Sequence, residues 1–389
     1  MNYKAFKFRL TPNKEQQILI SKTLGCTRFL YNQMLNERQT KYKNKEKYKN
    51  KTESLYKAEF PFLKEVDSVA LQQSRVDLET SYKNFFRNLK KKQKTSLKFK
   101  SKRNPKNSYR TLNINNSIRI EENRVKLPKL GFVKFKKSRD IIGKIKSVTI
   151  SKNILNKYYI SVLCETEINK LSTLDKNIGI DLGIKDYLTT SDNTTEPNHK
   201  YLRKSELKLK KAQKTLSKRV KNSKNRFKQQ KKVFRIHERI RNQRVDALHK
   251  LSTKLINENQ VICLENLSVS NMVKNHKLAK SISDCGWSKF VDLLKYKSEW
   301  YGRELVQIDK FFPSSKLCNV CGYKNKNLQL KDREWTCLNC KILLDRDFNA
   351  ALNILKEGLR IFSEELRTQK NRRDDEVSLL NIQTLVCNS

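Results

Sequence analysis

The chain has 389 residues, enough for roughly two to four domains. Its 85 lysines and arginines outnumber 39 aspartates and glutamates, and the formal net charge of +46 is too large for an ordinary solvated surface and indicates a nucleic-acid partner. Five of the nine cysteines are scattered, which is typical of a reducing compartment, and no apolar run approaches the roughly twenty residues that span a bilayer. We therefore expect a cytoplasmic protein without a signal peptide or a membrane segment.

The N-terminal part combines one strand with several helices. Tyr3 to Leu10 alternates with period two, which predicts a strand. From Lys14 to Thr40 the apolar spacing predicts two helices that are broken near Gly25. The lysine-rich run Lys41 to Lys51 indicates a solvated loop, and Val66 to Leu89 is predicted to form a third helix.

Basic and aromatic residues then alternate between Leu97 and Arg110, an arrangement that suits phosphate contacts and base stacking. A plain solvated loop is the alternative interpretation of this segment. The candidate nucleic-acid contacts here are Lys100, Lys102, Arg103, Tyr109 and Arg110. Between Ile118 and Glu165 the chain has short strand patterns separated by turn residues, which predict an antiparallel barrel or curled sheet completed by the first strand.

Two later strands each contain one acid among apolar residues. Asn177 to Ile184 contains Asp181, and Gln260 to Leu267 contains Glu265 near its end. A buried carboxylate is costly unless it is paired or binds a cation. Both acids are therefore candidates for a functional site.

A basic helical stretch from Leu202 to Ile256 separates these two strands. Its apolar residues recur at three- and four-residue steps, which predicts a helical hairpin with a narrow apolar seam and a phosphate-facing side. A solvated coiled-coil face is the alternative. The candidate nucleic-acid contacts on this hairpin are Arg235, Arg239, Arg241 and Arg244.

Two CxxC pairs, separated by fifteen residues, form a strong metal motif. Their members are Cys318, Cys321, Cys337 and Cys340. Four thiolates complete a tetrahedral Zn²⁺ site and leave no open position, so we expect one structural zinc ion.

Asp345 and Asp347 follow the last of these cysteines and precede an apolar pattern at helical spacing. Taken singly, each acid of the chain could be a helix cap or an ion-pair partner. Together, Asp181, Glu265 and Asp347 are three carboxylates that can hold two Mg²⁺ ions about 3.5–4 Å apart for phosphodiester cleavage. The order strand, strand, helix suits an RNase H-like sheet.

The residues around these acids resemble those of a known family. GIDLGIKDYLTTSD around Asp181, CLENL around Glu265, and the four-cysteine segment that leads into DRDFNAALNI resemble the three RuvC motifs and the zinc ribbon of the transposon-encoded TnpB (OrfB) proteins, relatives of type V CRISPR effectors. Segments over most of the chain, from FKFRLTPNKEQ to EWYGRELVQIDKFFPSSKLC, resemble the same family. The resemblance implies that Asp181, Glu265 and Asp347 are the catalytic Mg²⁺ ligands, and Asp345 is the neighbour that could be mistaken for the third.

The resemblance also implies an α+β multidomain fold. Residues 1–13 and 105–168 would form a split wedge β-barrel with a helical recognition insert at 14–104. An RNase H-like RuvC nuclease domain would follow at 169–312, with the basic hairpin at 202–256. The remaining predicted segments are a zinc ribbon at 313–341, the last RuvC motif and its helix at 342–357, and a disordered tail at 358–389.

The activity that the resemblance implies is RNA-guided cleavage of double-stranded DNA next to a short flanking motif. The guide would be a noncoding RNA from the transposon end, bound by one protein molecule in the nucleoid region of a prokaryotic cytoplasm, and base pairing would read the target. Three alternatives remain: a nuclease-inactive RNA-guided repressor, a guide-free DNA-binding accessory protein of transposition, and an autonomous transposase.

Three positions of the ribbon bear on this expectation. Arg333 is a candidate contact of the scissile phosphate, with a surface ion pair as the alternative. The family often has Gly after the fourth cysteine and His before the DRD triplet, where this chain has Lys341 and Leu344. We expect these differences to alter the loop geometry without loss of the chemistry.

Overall fold

The computed structural model describes residues 2–47, 51–102, 107–329 and 331–386, with side chains described up to residue 368. The chain divides into two units, residues 1–168 and 169–389. Arg103, one of the predicted nucleic-acid contacts, lies outside the described residues. None of the helices in the described part of the chain has the length and apolarity needed to cross a bilayer.

The first unit contains an antiparallel sheet of seven strands in the order β2-β6-β7-β1-β5-β4-β3. The strands are β1 Asn2–Thr11, β2 Asn107–Leu112, β3 Arg119–Glu121, β4 Arg124–Leu127, β5 Gly131–Lys136, β6 Lys144–Lys152 and β7 Tyr158–Thr166. The first strand pairs with β7 and β5 at the middle of the sheet, as the alternating pattern predicts. Because β2 and β3 are edges without a shared ladder among the described residues, the sheet is open rather than a closed barrel.

Helices lie between β1 and β2: α1 Lys14–Lys43, α2 Glu53–Glu59, a 3-10 turn at Pro61–Glu65, and α3 Ser68–Lys90. The prediction of two helices broken near Gly25 is wrong, because α1 continues through that residue. Its buried residues Ile20 and Leu30 lie on either side of Gly25, so the apolar face that stabilises the helix is continuous. Asn13 caps the helix, since its Oδ1 accepts from the Gln16 amide at 2.8 Å.

The second unit contains a five-stranded sheet in the order β10-β9-β8-β11-β12. The strands are β8 Asn177–Leu182, β9 Asp186–Thr190, β10 Thr195–Pro197, β11 Val261–Glu265 and β12 Glu304–Ile308. The three strands β8, β11 and β12 are parallel, whereas β9 and β10 run antiparallel to their neighbours. The central strand β11 is a nearly continuous apolar run because helices cover both faces of this sheet.

The helices of this unit are α4 Tyr201–Ser217, α5 Lys224–Glu258, α6 Val269–Met272, α7 Ala279–Cys285, α8 Trp287–Tyr301 and α9 Arg346–Val386. The predicted hairpin at 202–256 corresponds to α4 and α5, and Gln229 of α5 donates to the Ala212 carbonyl of α4 at 2.8 Å. One face of the sheet packs against α5 and α8 through Ile180, Leu248 and Phe290. The other face packs against α9.

Two glycines allow α9 to approach this sheet closely. A Cβ at Gly179 of β8 would overlap the Ala351 carbonyl and lie 2.7 Å from Leu355 Cβ, and a Cβ at Gly358 would lie 2.6 Å from Cys263 Cβ of β11. The segment predicted to be a disordered tail, 358–389, is helical where it begins, because α9 continues beyond Gly358. Its apolar residues after Gly358, among them Phe362, pack against the sheet and stabilise the extended helix.

Candidate functional site

Asp181 and Glu265 lie side by side at the carboxyl ends of two parallel strands. Ile180 of β8 is in register with Leu264 of β11, and each acid is the next residue along its strand. Side chains alternate across a sheet, so Asp181 shares the face of Gly179, against which α9 packs. Glu265 shares the same face of the sheet through Cys263, which contacts Gly358 of α9.

Asp347 lies at the start of α9 and faces the same site. It is one helical turn before Ala351, the residue whose carbonyl approaches Gly179. Arg333 Nη1 donates to its Oδ2 at 2.8 Å, and Arg346 Nη2 donates to its Oδ1 at 3.1 Å. Arg333 is therefore an ion-pair partner of an acid of this site, and this pair matches the ion-pair alternative of the sequence analysis.

Burial and the neighbouring carboxylates raise the pKa of Asp181 to about 8. Burial contributes most, Glu265 and Asp347 add to it by repulsion, and Arg346 and Arg333 oppose it. Burial also raises the pKa of Glu265, which the hydroxyl of Ser314 opposes by donating a hydrogen bond to Oε1. A carboxyl group whose ionised form is disfavoured by burial and by neighbouring carboxylates is typical of sites that hold a proton or a cation.

The acids do not form a closed ligand cage in this arrangement. Within the part of the chain that the structure describes, the only group of three or more metal-ligand atoms that all lie within 4.8 Å of one another is the four cysteines. Both oxygens of Asp347 are instead bound by arginines. The three acids thus share one electrostatic environment, and Asp347 would exchange an arginine for a cation to become a metal ligand.

Asp345 has a different role from Asp347. Its Oδ1 accepts a hydrogen bond from the Phe348 amide at 2.7 Å, which is the geometry of an N-cap at the start of α9. Two short strands, β13 Glu334–Thr336 and β14 Leu343–Asp345, pair so that Asp345 lies opposite Glu334. The capping interpretation therefore applies to Asp345, which is two residues before the acid that interacts with Asp181.

The four cysteines have the geometry of a tetrahedral metal site. Sγ of Cys318 lies 3.6 Å from that of Cys340, and Sγ of Cys321 lies 3.5 Å from that of Cys337. Zn–S bonds of about 2.3 Å at tetrahedral angles require sulfur separations of about 3.8 Å. The donors are all sulfur, so the residues fit Zn²⁺ in a structural site.

The two knuckles of this site have the same backbone turn. The Cys318 carbonyl accepts from the Gly322 amide, and the Cys337 carbonyl accepts from the Lys341 amide, both at 2.9 Å. Gly322 has φ +75° and Lys341 has φ +59°, so both are left-handed. Lys341 thus adopts the left-handed conformation that glycine favours, at the steric cost of its Cβ.

Leu344, the other departure in the ribbon, contributes to a small apolar core. It lies opposite Trp335 in the β13–β14 pair, and both side chains are buried with Cys318 and Cys337. A histidine is not needed here to bind metal, because the four sulfur atoms complete the site. The ribbon is thus closed around its own apolar residues.

Three of the predicted nucleic-acid contacts of the first unit have structural partners instead. Tyr109 is 6% exposed and belongs to the core under the seven-stranded sheet, because it is an inward residue of β2. Lys100 and Arg110 both approach Asp77 of α3, with nitrogen–oxygen distances of 3.2 and 3.9 Å. The prediction of base stacking by Tyr109 is therefore wrong, whereas Lys100 and Lys102 are both exposed.

On the hairpin, the predicted contacts also divide into two kinds. Arg235, Arg239 and Arg241 are exposed on α5 and available to a polyanion. Arg244 is partly buried, and its Nη2 lies 2.5 Å from Oδ1 of Asp284 in α7, which is itself buried. Its role in this structure is to join α5 and α7, so the prediction of a solvent-facing phosphate contact is wrong for this residue.

Several residues that shape the site are not indicated by any pattern in the sequence. Ser314 and Arg346 contact two of the acids, and neither lies in a pattern that indicates such a contact. The close packing at Gly179 could have been predicted, since a glycine inside a strand often marks a close approach of another backbone.

Comparison with known families divides the chain into three matched segments. Residues 160–276 match the OrfB_IS605 family, described as a probable transposase, and residues 287–354 match the Cas12f1-like TNB domain. Residues 1–47 match the helix-turn-helix domain of OrfB_IS605 proteins, although here that segment contains one strand and the single helix α1.

Individual relatives extend the similarity over nearly the whole chain. A protein of Streptomyces pristinaespiralis named "Putative RNA-guided DNA endonuclease" is 38% identical, with 92% of this chain and 89% of the relative covered. The Escherichia coli K12 protein "Putative RNA-guided DNA endonuclease InsQ" is 33% identical, with 91% of this chain and 92% of the relative covered. A "TnpB-like protein" of Acanthamoeba polyphaga mimivirus is 30% identical over 59% of this chain and 46% of its own length.

Among solved structures, the fold is similar to the protein in a complex of Cas12f1 with sgRNA and target DNA. The TM-score is 0.53 at 13% sequence identity, with 91% of this chain and 98% of the other covered. At this identity the similarity concerns the fold alone.

Proposed function

The chain belongs to the TnpB family, which is related to the type V CRISPR effectors, and we propose that it is an RNA-guided DNA endonuclease. The protein would bind a guide RNA made from the transposon end, one protein molecule per guide, and cleave double-stranded DNA next to a short flanking motif. The names of its relatives and the formal charge of +46 support nucleic-acid partners.

The observation that carries the proposal is the electrostatic effect of two neighbouring acids on Asp181, where the ends of two strands meet the start of a helix. Asp181, Glu265 and Asp347 come from β8, β11 and α9, and the charges of Glu265 and Asp347 raise the pKa of Asp181. The strand order and directions of this sheet support an RNase H-like, RuvC-type nuclease domain. Two carboxylates at the ends of such strands and a third at the start of the helix packed on them suit phosphodiester hydrolysis with two Mg²⁺ ions.

These residues have distinct proposed roles. Mg²⁺ bound by the three acids would activate the attacking water and stabilise the leaving oxygen. Ser314 orients Glu265 through its hydrogen bond, and Arg346 orients Asp347. Arg333 donates to Asp347 in this structure, and if a cation took its place there, the guanidinium would be available to contact the scissile phosphate.

The other domains are proposed to follow the domain organisation of the TnpB family. Residues 1–13 and 105–168 would form the wedge domain, with the helices of 14–104 as the recognition insert. The RuvC domain would comprise 169–312 and 342–357, interrupted by the zinc ribbon at 313–341. One Zn²⁺ ion bound by the four cysteines would hold the ribbon, and with it Arg333, beside Asp347.

The test is to sequence the RNA that co-purifies after a high-salt wash and to add the reconstituted complex to a plasmid library with randomised flanks. We expect one discrete RNA species, and Mg²⁺-dependent cleavage of targets with one flanking motif. Asp181→Ala should abolish cleavage while RNA and target binding persist. Absence of discrete RNA would contradict the guided function, and cleavage by the variant would contradict the assignment of the acids.

A further inference from the structure

We propose that Asn353 of α9 is a positioning residue of the cleavage centre and that it acts on Glu265 through Ser314. A second asparagine of the same helix, Asn349, holds the first cysteine knuckle, residues 318–322, in a similar way. The role of Asn353 rests on the proposed function, in which Glu265 is a ligand of the catalytic cation. Two neighbouring residues of one helix would then serve the two different metal sites of this domain.

Asn349 and Asn353 are one helical turn apart on a buried face of α9. They are 1% and 5% exposed, and both side-chain amides bind the backbone of the segment that leads into the first knuckle. Asn349 Nδ2 donates to the Leu317 carbonyl at 2.7 Å, and its Oδ1 accepts from the Asn319 amide at 2.9 Å. Asn353 Nδ2 donates to the carbonyls of Ser314 and Leu317, at 2.8 and 2.7 Å. These hydrogen bonds attach the segment to the helix.

The chemistry of an amide suits these partners. A backbone carbonyl accepts from the NH₂ group of asparagine, and a backbone N–H donates to the asparagine oxygen, so the partners fix the orientation of both side chains. A carboxylate or an apolar side chain at Asn353 could not donate to the two carbonyls. The bond to the Ser314 carbonyl is buried, so its loss would leave a buried acceptor unpaired, which is costly.

The segment transmits this constraint to Glu265. The Ser314 hydroxyl donates to Glu265 Oε1, and Ser314 is itself 5% exposed. The Pro313 carbonyl accepts from the Leu317 amide at 3.1 Å, which closes the intervening residues into one turn. Asn353 binds the carbonyls of two residues of this turn. The position of the Ser314 hydroxyl is therefore set by α9.

Glu265 needs such support because it is the last residue of β11. The strand fixes its backbone, whereas a flexible side chain separates the backbone from the carboxylate. Within the residues that the structure describes, the hydrogen bond from Ser314 is the one that orients this carboxylate. Removal of a group that orients a metal ligand typically lowers metal affinity by about 10–100-fold.

Binding of Mn²⁺ to the zinc-loaded full chain, without RNA or DNA, measures this effect separately from cleavage. Mn²⁺ prefers the same oxygen ligands as Mg²⁺, and electron paramagnetic resonance measures its free concentration. We expect Asp181→Ala to bind Mn²⁺ much more weakly than the parent protein. Equal binding by the two proteins would overturn the cation site of the proposed function, and the role of Asn353 with it.

Asn353→Ala and Ser314→Ala should each weaken Mn²⁺ binding about tenfold, and the double variant should also be about tenfold weaker. The effects should not add, because Asn353 acts on Glu265 through Ser314. Asn84→Ala, at an exposed position of α3, is the control and should bind Mn²⁺ as the parent does. If Asn353→Ala did not fold, Asn353→Gln, which keeps the amide but displaces it, would replace it in the same comparison.

Two results would overturn the role of Asn353 and leave the cation site intact. One is unchanged Mn²⁺ affinity in the Asn353 variant. The other is a double variant about a hundredfold weaker than the parent, because independent effects of Asn353 and Ser314 would multiply.

Asn349→Ala distinguishes positioning from general destabilisation. It removes two buried or partly buried hydrogen bonds, as Asn353→Ala does, so both variants should lower the melting temperature. Asn349 binds the residues on either side of Cys318, so its loss should speed zinc transfer to a chromogenic chelator. Its Mn²⁺ affinity should change less than about threefold, compared with about tenfold for Asn353→Ala. Equal loss of Mn²⁺ affinity in both variants would indicate a general effect on α9 and would overturn the proposal.

Discussion

Gly179 of β8 lies directly against the Ala351 carbonyl of α9, with no room for a Cβ between them. Asp181 follows Gly179 by two residues on the same face of the strand, and Asp347 precedes Ala351 by one helical turn. The distance between these two acids is therefore set by the closeness of a strand and a helix backbone. The electrostatic effect of Asp347 on Asp181 depends on this contact.

Gly179→Ala should move α9 away from the sheet. We expect a loss of roughly 1–3 kcal/mol in the free energy of unfolding and a large loss of DNA cleavage, with zinc content unchanged. Thermal unfolding, cleavage rate and metal analysis measure the three effects. Gly25→Ala is the control, because a Cβ there meets nothing within 4 Å inside α1, and it should raise stability by about 0.5–1 kcal/mol. Wild-type cleavage by Gly179→Ala would show that the close approach is unnecessary.

The stability of the Mg²⁺-free, zinc-loaded protein should fall as pH rises from about 4 to 8. The pKa of Asp181 is raised to about 8 in the folded state from an ordinary value of 3.8, so within this range the folded state binds more protons than the unfolded state. Asp181→Asn should flatten this slope and raise the free energy of unfolding at pH 7 by on the order of 2–4 kcal/mol. Mg²⁺ should stabilise the parent but not the variant. If the free energy of unfolding of the parent protein did not change with pH, the raised pKa of Asp181 would be contradicted.

Substitutions of the two aspartates of the DRD triplet, Asp345 and Asp347, should have different effects on stability and cleavage. Asp347→Asn should abolish cleavage with little change in stability. Asp345→Ala should cost about 1 kcal/mol, because it removes the N-cap of α9, and should retain cleavage. Asp345→Ser restores a capping oxygen and should recover most of the lost stability. If Asp345→Ala abolished cleavage and Asp347→Asn did not, the third acid would be Asp345.

Lys341→Gly should strengthen the zinc ribbon by about 0.5–1 kcal/mol, because glycine has no Cβ to strain the left-handed turn. Chelator competition for the bound zinc measures this effect. Gly322→Ala in the equivalent turn is the reciprocal variant and should weaken zinc retention. Cys337→Ser should release the metal, and a folded protein that still holds one zinc ion would contradict the four-cysteine site.

Much of the candidate site could be predicted from the sequence. The spacing of four cysteines is local, and the isolated acids in two apolar strands are visible because burial of a charge is rare without a partner. The strands and the basic hairpin follow from hydrophobic periodicity. The continuation of α9 beyond Gly358 could not be predicted from the local sequence. The packing of Phe362 against the sheet stabilises this part of the helix, and such a contact is visible only in the tertiary structure.

The sequence by itself determined which residue types are present and at what spacing: four thiolates for one metal ion, three acids on buried elements, and a large excess of cations. Only the tertiary structure decided which of these groups meet. It paired Arg333 with Asp347 and Arg244 with Asp284, buried Tyr109, and made Asp345 a cap. The physical reason is that ion pairs, burial and pKa shifts depend on distances of a few ångströms between residues far apart in the chain, and those distances are set by how strands and helices pack.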